Sequence, residues 1–191
     1  MSSRIKLLIL ASIFFLPMIL AWLVYFGPQD WKPDAVTAEG HLVSPARPMP
    51  EFSFQDARGE AFQVGGLWTL LHIGQAACGD ECQHRLWQTR QMRTLLHRHR
   101  SRLQRVYLVS EPSEAAGLWG QLQEEHPRLR IVALDPEQRG EFEAWLGRLD
   151  VADPVLLIDP LGNFFMYYGD ELPLKGMLKD IKRVMKLSNI G

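Results

Sequence analysis

Between Leu7 and Phe26 the chain runs for twenty residues without one charged side chain. Hydrocarbon offers no water to an unpaired backbone N–H or C=O. A run of this length and composition is therefore read as a helix able to cross a bilayer. Pro17 lies inside the run, which membrane helices tolerate. Arg4 and Lys6 precede it, while Asp30, Lys32 and Asp34 follow with no positive excess. The positive-inside rule places residues 1–6 in the cytoplasm and everything after the span outside it. Trp22, Tyr25 and Trp31 fall where an interfacial aromatic belt would lie. A cleaved signal peptide would have a shorter apolar core ending in small residues. Here the run ends Val24-Tyr25-Phe26-Gly27-Pro28, so we read residues 7–26 as an uncleaved anchor. The expected setting is the inner membrane of a bacterium, with the rest of the chain in the periplasm, where disulfides persist.

Pro28, Pro33, Pro45 and Pro48 punctuate the next stretch, and residues 27–49 read as a linker. From residue 50 onward the pattern is that of one globular domain, 50–191. Two short alternating segments, Glu51 to Asp56 and Ala61 to Val64, flank the turn Ala57-Arg58-Gly59-Glu60 and predict a hairpin. Leu67 to Ile73 is almost continuously apolar, as in a strand covered on both faces. Helix-spaced and strand-like segments then alternate: a helix over 83–100, strands around Val106 to Val109 and Arg130 to Leu134, and helices over 113–125 and 137–149. A hairpin follows over 154–168, then a last helix over 174–187 with Met177, Ile181 and Met185 inward and its lysines outward. This order predicts an α/β fold with a mainly parallel central sheet, helices on both faces and a β-hairpin at each end of the domain.

The formal net charge is −1, so bulk charge points to no nucleic-acid partner. The arginines at 85, 90, 93, 98, 100, 102 and 105 read as a solvated helix face. Docking to an acidic partner or to lipid headgroups is the alternative. Chemistry concentrates elsewhere. Cys78 and Cys82 are the only cysteines and stand where the first long strand hands over to the first long helix. Such a pair can form a disulfide, exchange it or hold a soft metal ion. Unsatisfied N–H groups at the helix start favour a thiolate, whereas Asp80 and Glu81 between the cysteines disfavour one and would help neutralise a bound cation. An inert structural disulfide is the plain alternative. No phosphate loop, serine–histidine–acid set or four-ligand zinc spacing is present.

Three stretches carry a family resemblance. Phe52-x-Phe54-x-Asp56-x-x-Gly59-x-x-Phe62, followed by Leu67-Trp68-Thr69-Leu70-Leu71, resembles the entry hairpin and first core strand of thioredoxin-like redoxins. Leu157-Ile158-Asp159-Pro160-Leu161-Gly162-Asn163-Phe164 resembles their terminal hairpin. The Cys-x-x-x-Cys spacing, the single N-terminal anchor and Tyr167-Tyr168-Gly169 make the chain most similar to the SCO/SenC family. Those proteins are thioredoxin-like factors that deliver copper to cytochrome c oxidase or reduce its copper-site cysteines. The resemblance implies that Cys78 and Cys82 act as the redox pair and as copper(I) ligands, with an oxidase subunit as client. The family's third ligand, a histidine before the late strand, has no counterpart, because Asp153-Pro154 stands there. Pro154 instead resembles the cis-proline that faces the active site of ordinary thioredoxins. Other third donors within the sequence are His72, His84 and Met166. The alternatives to an oxidase assembly factor are a general membrane-tethered thiol–disulfide oxidoreductase and a non-catalytic thioredoxin-like scaffold.

Overall fold

The computed structural model describes residues 3–26, 38–75, 77–151, 153–169, 171, 173–188 and 190. It falls into two compact units, Met1–Thr37 and Ala38–Gly191.

The first unit contains one helix, α1 (Ser3–Phe26), which holds the whole apolar run. Its 24 residues span about 36 Å at 1.5 Å per residue, enough by length and composition to cross a membrane. The Ser12 hydroxyl within the run donates to the Leu8 carbonyl at 2.8 Å, so it adds no unpaired polar group.

The second unit is an eight-stranded sheet. In chain order come β1 (His41–Pro48), β2 (Phe54–Asp56), β3 (Ala61–Phe62), β4 (Trp68–Ile73), α2 (Asp80–Leu95), β5 (Leu103–Val109), α3 (Pro112–Leu122), β6 (Leu129–Leu134), α4 (Arg139–Leu146), β7 (Val155–Ile158), β8 (Asn163–Tyr168) and α5 (Leu174–Leu187). Across the sheet the strands run β1-β8-β7-β4-β5-β6-β2-β3. Among the described residues only β4–β5 and β5–β6 pair in parallel. The expected mainly parallel sheet is thus a parallel centre with antiparallel flanks. The reason is the connection lengths: α2 and α3 are crossovers that return the chain in the same direction, whereas β7–β8 and β2–β3 close through tight turns.

One of those turns shows how local chemistry sets the register. The Asp159 carboxylate accepts the N–H groups of Leu161 (2.9 Å) and Asn163 (2.8 Å), and Gly162 sits at φ +86°, where a side chain is strained.

The largest departure from the sequence reading is β1. Residues 41–48 were read as linker, yet they form an edge strand antiparallel to β8, with His41 opposite Tyr167 and Pro48 opposite Asn163. Pro45 falls where the register shifts between Leu42 and Arg47, and an edge strand tolerates a missing N–H there. The pairing partner lies more than a hundred residues away, so no local periodicity announces it.

Residues alternate across the sheet in the parallel register of β4 with β5. Trp68, Leu70 and His72 share a face with Leu103, Arg105 and Tyr107. Helices α2 and α5 close that face through Met92, Met177, Ile181 and Met185, and α3 adds Leu118 and Leu122. The opposite face packs Leu71, Val106, Leu156 and Phe164 against Phe142 of α4. Helices therefore cover both faces, as expected.

Polar groups buried on the first face set its pH response. His126, just before β6, is 2% exposed. Burial first, then Arg105 and Arg90, push its pKa down to about 4, against a weaker opposing effect of Glu125. His72 moves the same way, chiefly through burial. Between pH 6.5 and 4 the unfolded chain thus binds more protons than the folded one, and stability falls as pH falls. Urea titrations at pH 7 and pH 4.5 are expected to show the loss. His126→Gln should shrink it by about 2 kcal/mol. An unchanged loss in the variant would remove His126 from the explanation.

Candidate functional site

The segment Gly74 to Gly79 leaves the carboxyl end of β4 and enters α2. That helix begins at Asp80 rather than near Gln83, so Cys82 lies in its first turn and Cys78 just ahead of the Gly79 cap. The two are joined as a disulfide with Cα atoms 5.1 Å apart. The sulfurs differ in access. Cys78 is 8% exposed and packs with Leu86, Tyr107 and Ala115, whereas Cys82 is half-buried and lines an open cleft of about 260 Å³. The cleft also presents His72, Gly74, Arg85, Tyr107 and Asp153.

Tyr107 reaches the cleft from β5. Its hydroxyl donates to the Gln75 carbonyl at 2.9 Å and lies 3.4 Å from the Cys82 sulfur. Burial, reinforced by Asp153, pushes its pKa up to about 12, so it remains a proton donor at neutral pH. A Cβ on Gly74 would collide with this hydroxyl, which explains glycine at the strand exit. In the oxidised pair the hydroxyl proton goes to Gln75. On reduction a Cys82 thiolate would compete for it, which stabilises the anion.

Arg85, one helical turn beyond Glu81, donates to the Asp153 carbonyl at 2.6 Å and to Glu81 at 3.2 Å. It brings a guanidinium to the cleft and offsets the Glu81 carboxylate. The sequence reading, in which Asp80 and Glu81 raise the thiol pKa, did not include this cation. Deeper in, the His72 Nε2 lies 3.2 Å from the Thr89 hydroxyl, which accepts from Arg105 Nε at 3.1 Å. Sequence reasoning missed Tyr107, Arg85 and Arg105. The one available signal was an arginine at an inward position of the buried strand β5.

The candidate third donors separate clearly. His72 lines the cleft, but its Nε2 is engaged with Thr89. His84 is exposed and stacks on Trp87 at 5.8 Å, away from the cleft lining. Met166 is a core residue packed with Leu70 and Leu157 on the face covered by α2 and α5. No group of three or more His, Cys, Asp or Glu residues is placed to hold a metal among the described residues. Asp153, next to the position where the resemblance puts the family's histidine, lines the cleft. Asp153 is left-handed at φ +42°, and the cis proline bond among the described residues is Ser44–Pro45 rather than Asp153–Pro154. Among the described residues, the two cysteines and a histidine are not placed together as a three-ligand donor set.

A disulfide across the entry to the first long helix, opening on a cleft at the end of a central parallel strand, defines a thioredoxin-like domain with a redox-capable pair. The chain belongs to the family of transmembrane-like, thioredoxin-like C-terminal domains, whose model matches residues 68–188. Its fold neighbours include Sco/SenC proteins and a thiol–disulfide oxidoreductase domain. Copper-bound yeast Sco1 superposes with a TM-score of 0.62 at 18% identity, covering 75% of this chain and 91% of that one. BsSco, of the Sco family of cytochrome c oxidase assembly proteins, in which a disulfide switch has been identified, gives 0.59 at 12%, covering 75% and 96%. The thioredoxin domain of a thiol–disulfide oxidoreductase from Bacteroides vulgatus gives 0.53 at 14%, covering 74% and 94%. At these identities the likeness is one of fold. Comparison with curated protein sequences returns no match.

Proposed function

We propose that this chain is a membrane-anchored thiol–disulfide exchange protein of the extracytoplasmic side, with a copper-site dithiol of a cytochrome c oxidase subunit as its client. The anchor is α1 of a bacterial inner membrane, with the N-terminus in the cytoplasm and the domain in the periplasm. The observation that carries the reading is the Cys82 sulfur at the wall of an open cleft, beside a hydroxyl donor and a guanidinium, backed by a buried partner sulfur.

The exchange starts from the reduced pair, which a thiol reductant must regenerate from the disulfide that the structure holds. The Cys82 thiolate attacks one sulfur of the client disulfide and expels the other as a thiolate, which takes up a proton. Cys78, once deprotonated, attacks the Cys82 sulfur of the mixed disulfide. This re-forms the Cys78–Cys82 bond and releases the second client thiolate. Two electrons pass to the client, and the reverse sequence oxidises it. Tyr107 and the first turn of α2 stabilise the thiolate on Cys82.

Copper(I) handover is the second reading, favoured by the copper-bound Sco1 neighbour. Reduced Cys78 and Cys82 would be two soft donors, and the client or a released His72 would have to complete the set. A pair of measurements on the full chain in detergent decides between the two. The reduced protein is expected to reduce insulin disulfides with dithiothreitol as the electron source. It is also expected to lose a Cu(I) competition against a chelator. Stoichiometric tight Cu(I) binding that disappears in Cys78→Ser, without insulin reduction, would move the function to copper handover.

A further inference from the structure

A second cleft, of about 250 Å³, lies between the later half of α2, the turn after it, β5 and the loop before β6. Its lining carries five guanidinium groups, on Arg90, Arg93, Arg100, Arg105 and Arg128, with the neutral imidazole of His126 beside them. No carboxylate belongs to that lining among the described residues. The solvated face read from the sequence therefore includes a concave part, completed by Arg128 and His126 from a loop that no helical spacing connects to it.

The members are held in place by the fold. Arg93 Nε donates to the Leu103 carbonyl at 2.8 Å, and Arg105 Nη2 to the Leu86 carbonyl at 2.7 Å. Arg105 is 2% exposed, so a guanidinium is fixed in the floor of the cleft. His126 is as deeply buried, and its Nδ1 finds no hydrogen-bond partner among the described residues. The charges also act on one another. Burial and then Arg128 and Arg100 lower the pKa of Arg93. Burial and then Arg93 and Arg90 lower that of Arg105 to about 9. Converging cations of this kind are stabilised by one class of partner, an anion with several oxygens that can accept paired guanidinium N–H groups.

We infer that this cleft binds a phosphate-class anion, with Arg90, Arg100 and Arg128 closing on its oxygens above Arg105 and His126. Free phosphates and the headgroup of an anionic phospholipid offer the same chemistry. Its lining shares no residue with the cleft at the disulfide.

Inorganic pyrophosphate, titrated into the full chain in a neutral detergent, tests this against sodium chloride at matched ionic strength. The expected result is a saturable rise in the thermal transition with pyrophosphate alone. Arg90→Gln/Arg128→Gln should weaken it at least tenfold, while Lys182→Gln/Lys186→Gln on α5 leaves it intact. Arg128→Gln alone serves if the double variant does not fold. Repeating the titration in mixed micelles carrying phosphatidylglycerol separates the sources. A response kept there supports a free phosphate, and one already saturated supports the lipid headgroup. A rise no larger than with chloride, or one equal in the arginine variant, would overturn the proposal.

Discussion

Replacing Cys82 with serine is expected to slow reaction with oxidised glutathione by about a hundredfold relative to Cys78→Ser, because thiolate character and access set thiol reactivity. Each variant keeps one thiol, so the comparison isolates position. In Cys78→Ser the remaining sulfur stands at the cleft beside Tyr107, in the first turn of α2, and should trap a stable mixed disulfide. In Cys82→Ser the remaining sulfur is the 8% exposed Cys78, packed against Leu86 and Ala115, where burial disfavours the thiolate. The order is the reverse of what the chain direction suggests, since the second cysteine of the motif makes the first contact. Mass spectrometry of the glutathione adduct over time reads the outcome, with the thermal transition of each variant as a control for folding. Equal rates in the two variants would refute the assignment of Cys82 as the exchanging sulfur.

The second large effect concerns the entry of the chain into the domain. Asp180 on α5 is buried, and its carboxylate accepts the backbone N–H groups of Glu39 (2.9 Å) and Gly40 (3.0 Å) and the Tyr168 hydroxyl at 3.4 Å. It thus ties the residues leaving the tether to the last helix and to β8. The approach is close: a Cβ on Gly40 would meet Tyr168 and Met166 at 2.7–2.8 Å. Asp180→Ala leaves several buried donors without an acceptor. The expected cost is about 3 kcal/mol, since hydrogen bonds to charged groups are worth more than neutral ones and orphaned donors carry the desolvation penalty. That corresponds to a fall of roughly 10 °C in the thermal transition of a domain this size. Calorimetry on the full chain measures it, and a fall below about 2 °C would mean that water replaces the carboxylate without loss.

Legibility from the sequence follows the range of the interactions involved. The first helix, Ser3–Phe26, was plain because hydropathy is additive along a single helix. The last helix, Leu174–Leu187, matches its expected span because Met177, Leu178, Ile181, Val184 and Met185 recur at helical spacing against the charged positions between them. Strand β7 announced itself as an unbroken apolar run and β4 as an almost unbroken one. The strand β1 did not, because its proline-rich sequence has weak strand propensity and owes its conformation to pairing with β8. The start of α2 was placed three residues late, since the polar Asp80 and Glu81 carry no apolar periodicity and suit the first turn through the helix dipole.

The cysteine pair, its position at a strand-to-helix junction and its ability to form a disulfide were written in the chain itself, as residue type and short spacing decide them. Which sulfur faces the cleft, the hydroxyl and guanidinium that attend it, and the engagement of His72 by Thr89 were settled only by tertiary structure. Those relations join β4, α2, β5 and the loop before β7 across as many as 68 residues. A side chain's surroundings at that distance depend on sheet order and register, which no local pattern encodes.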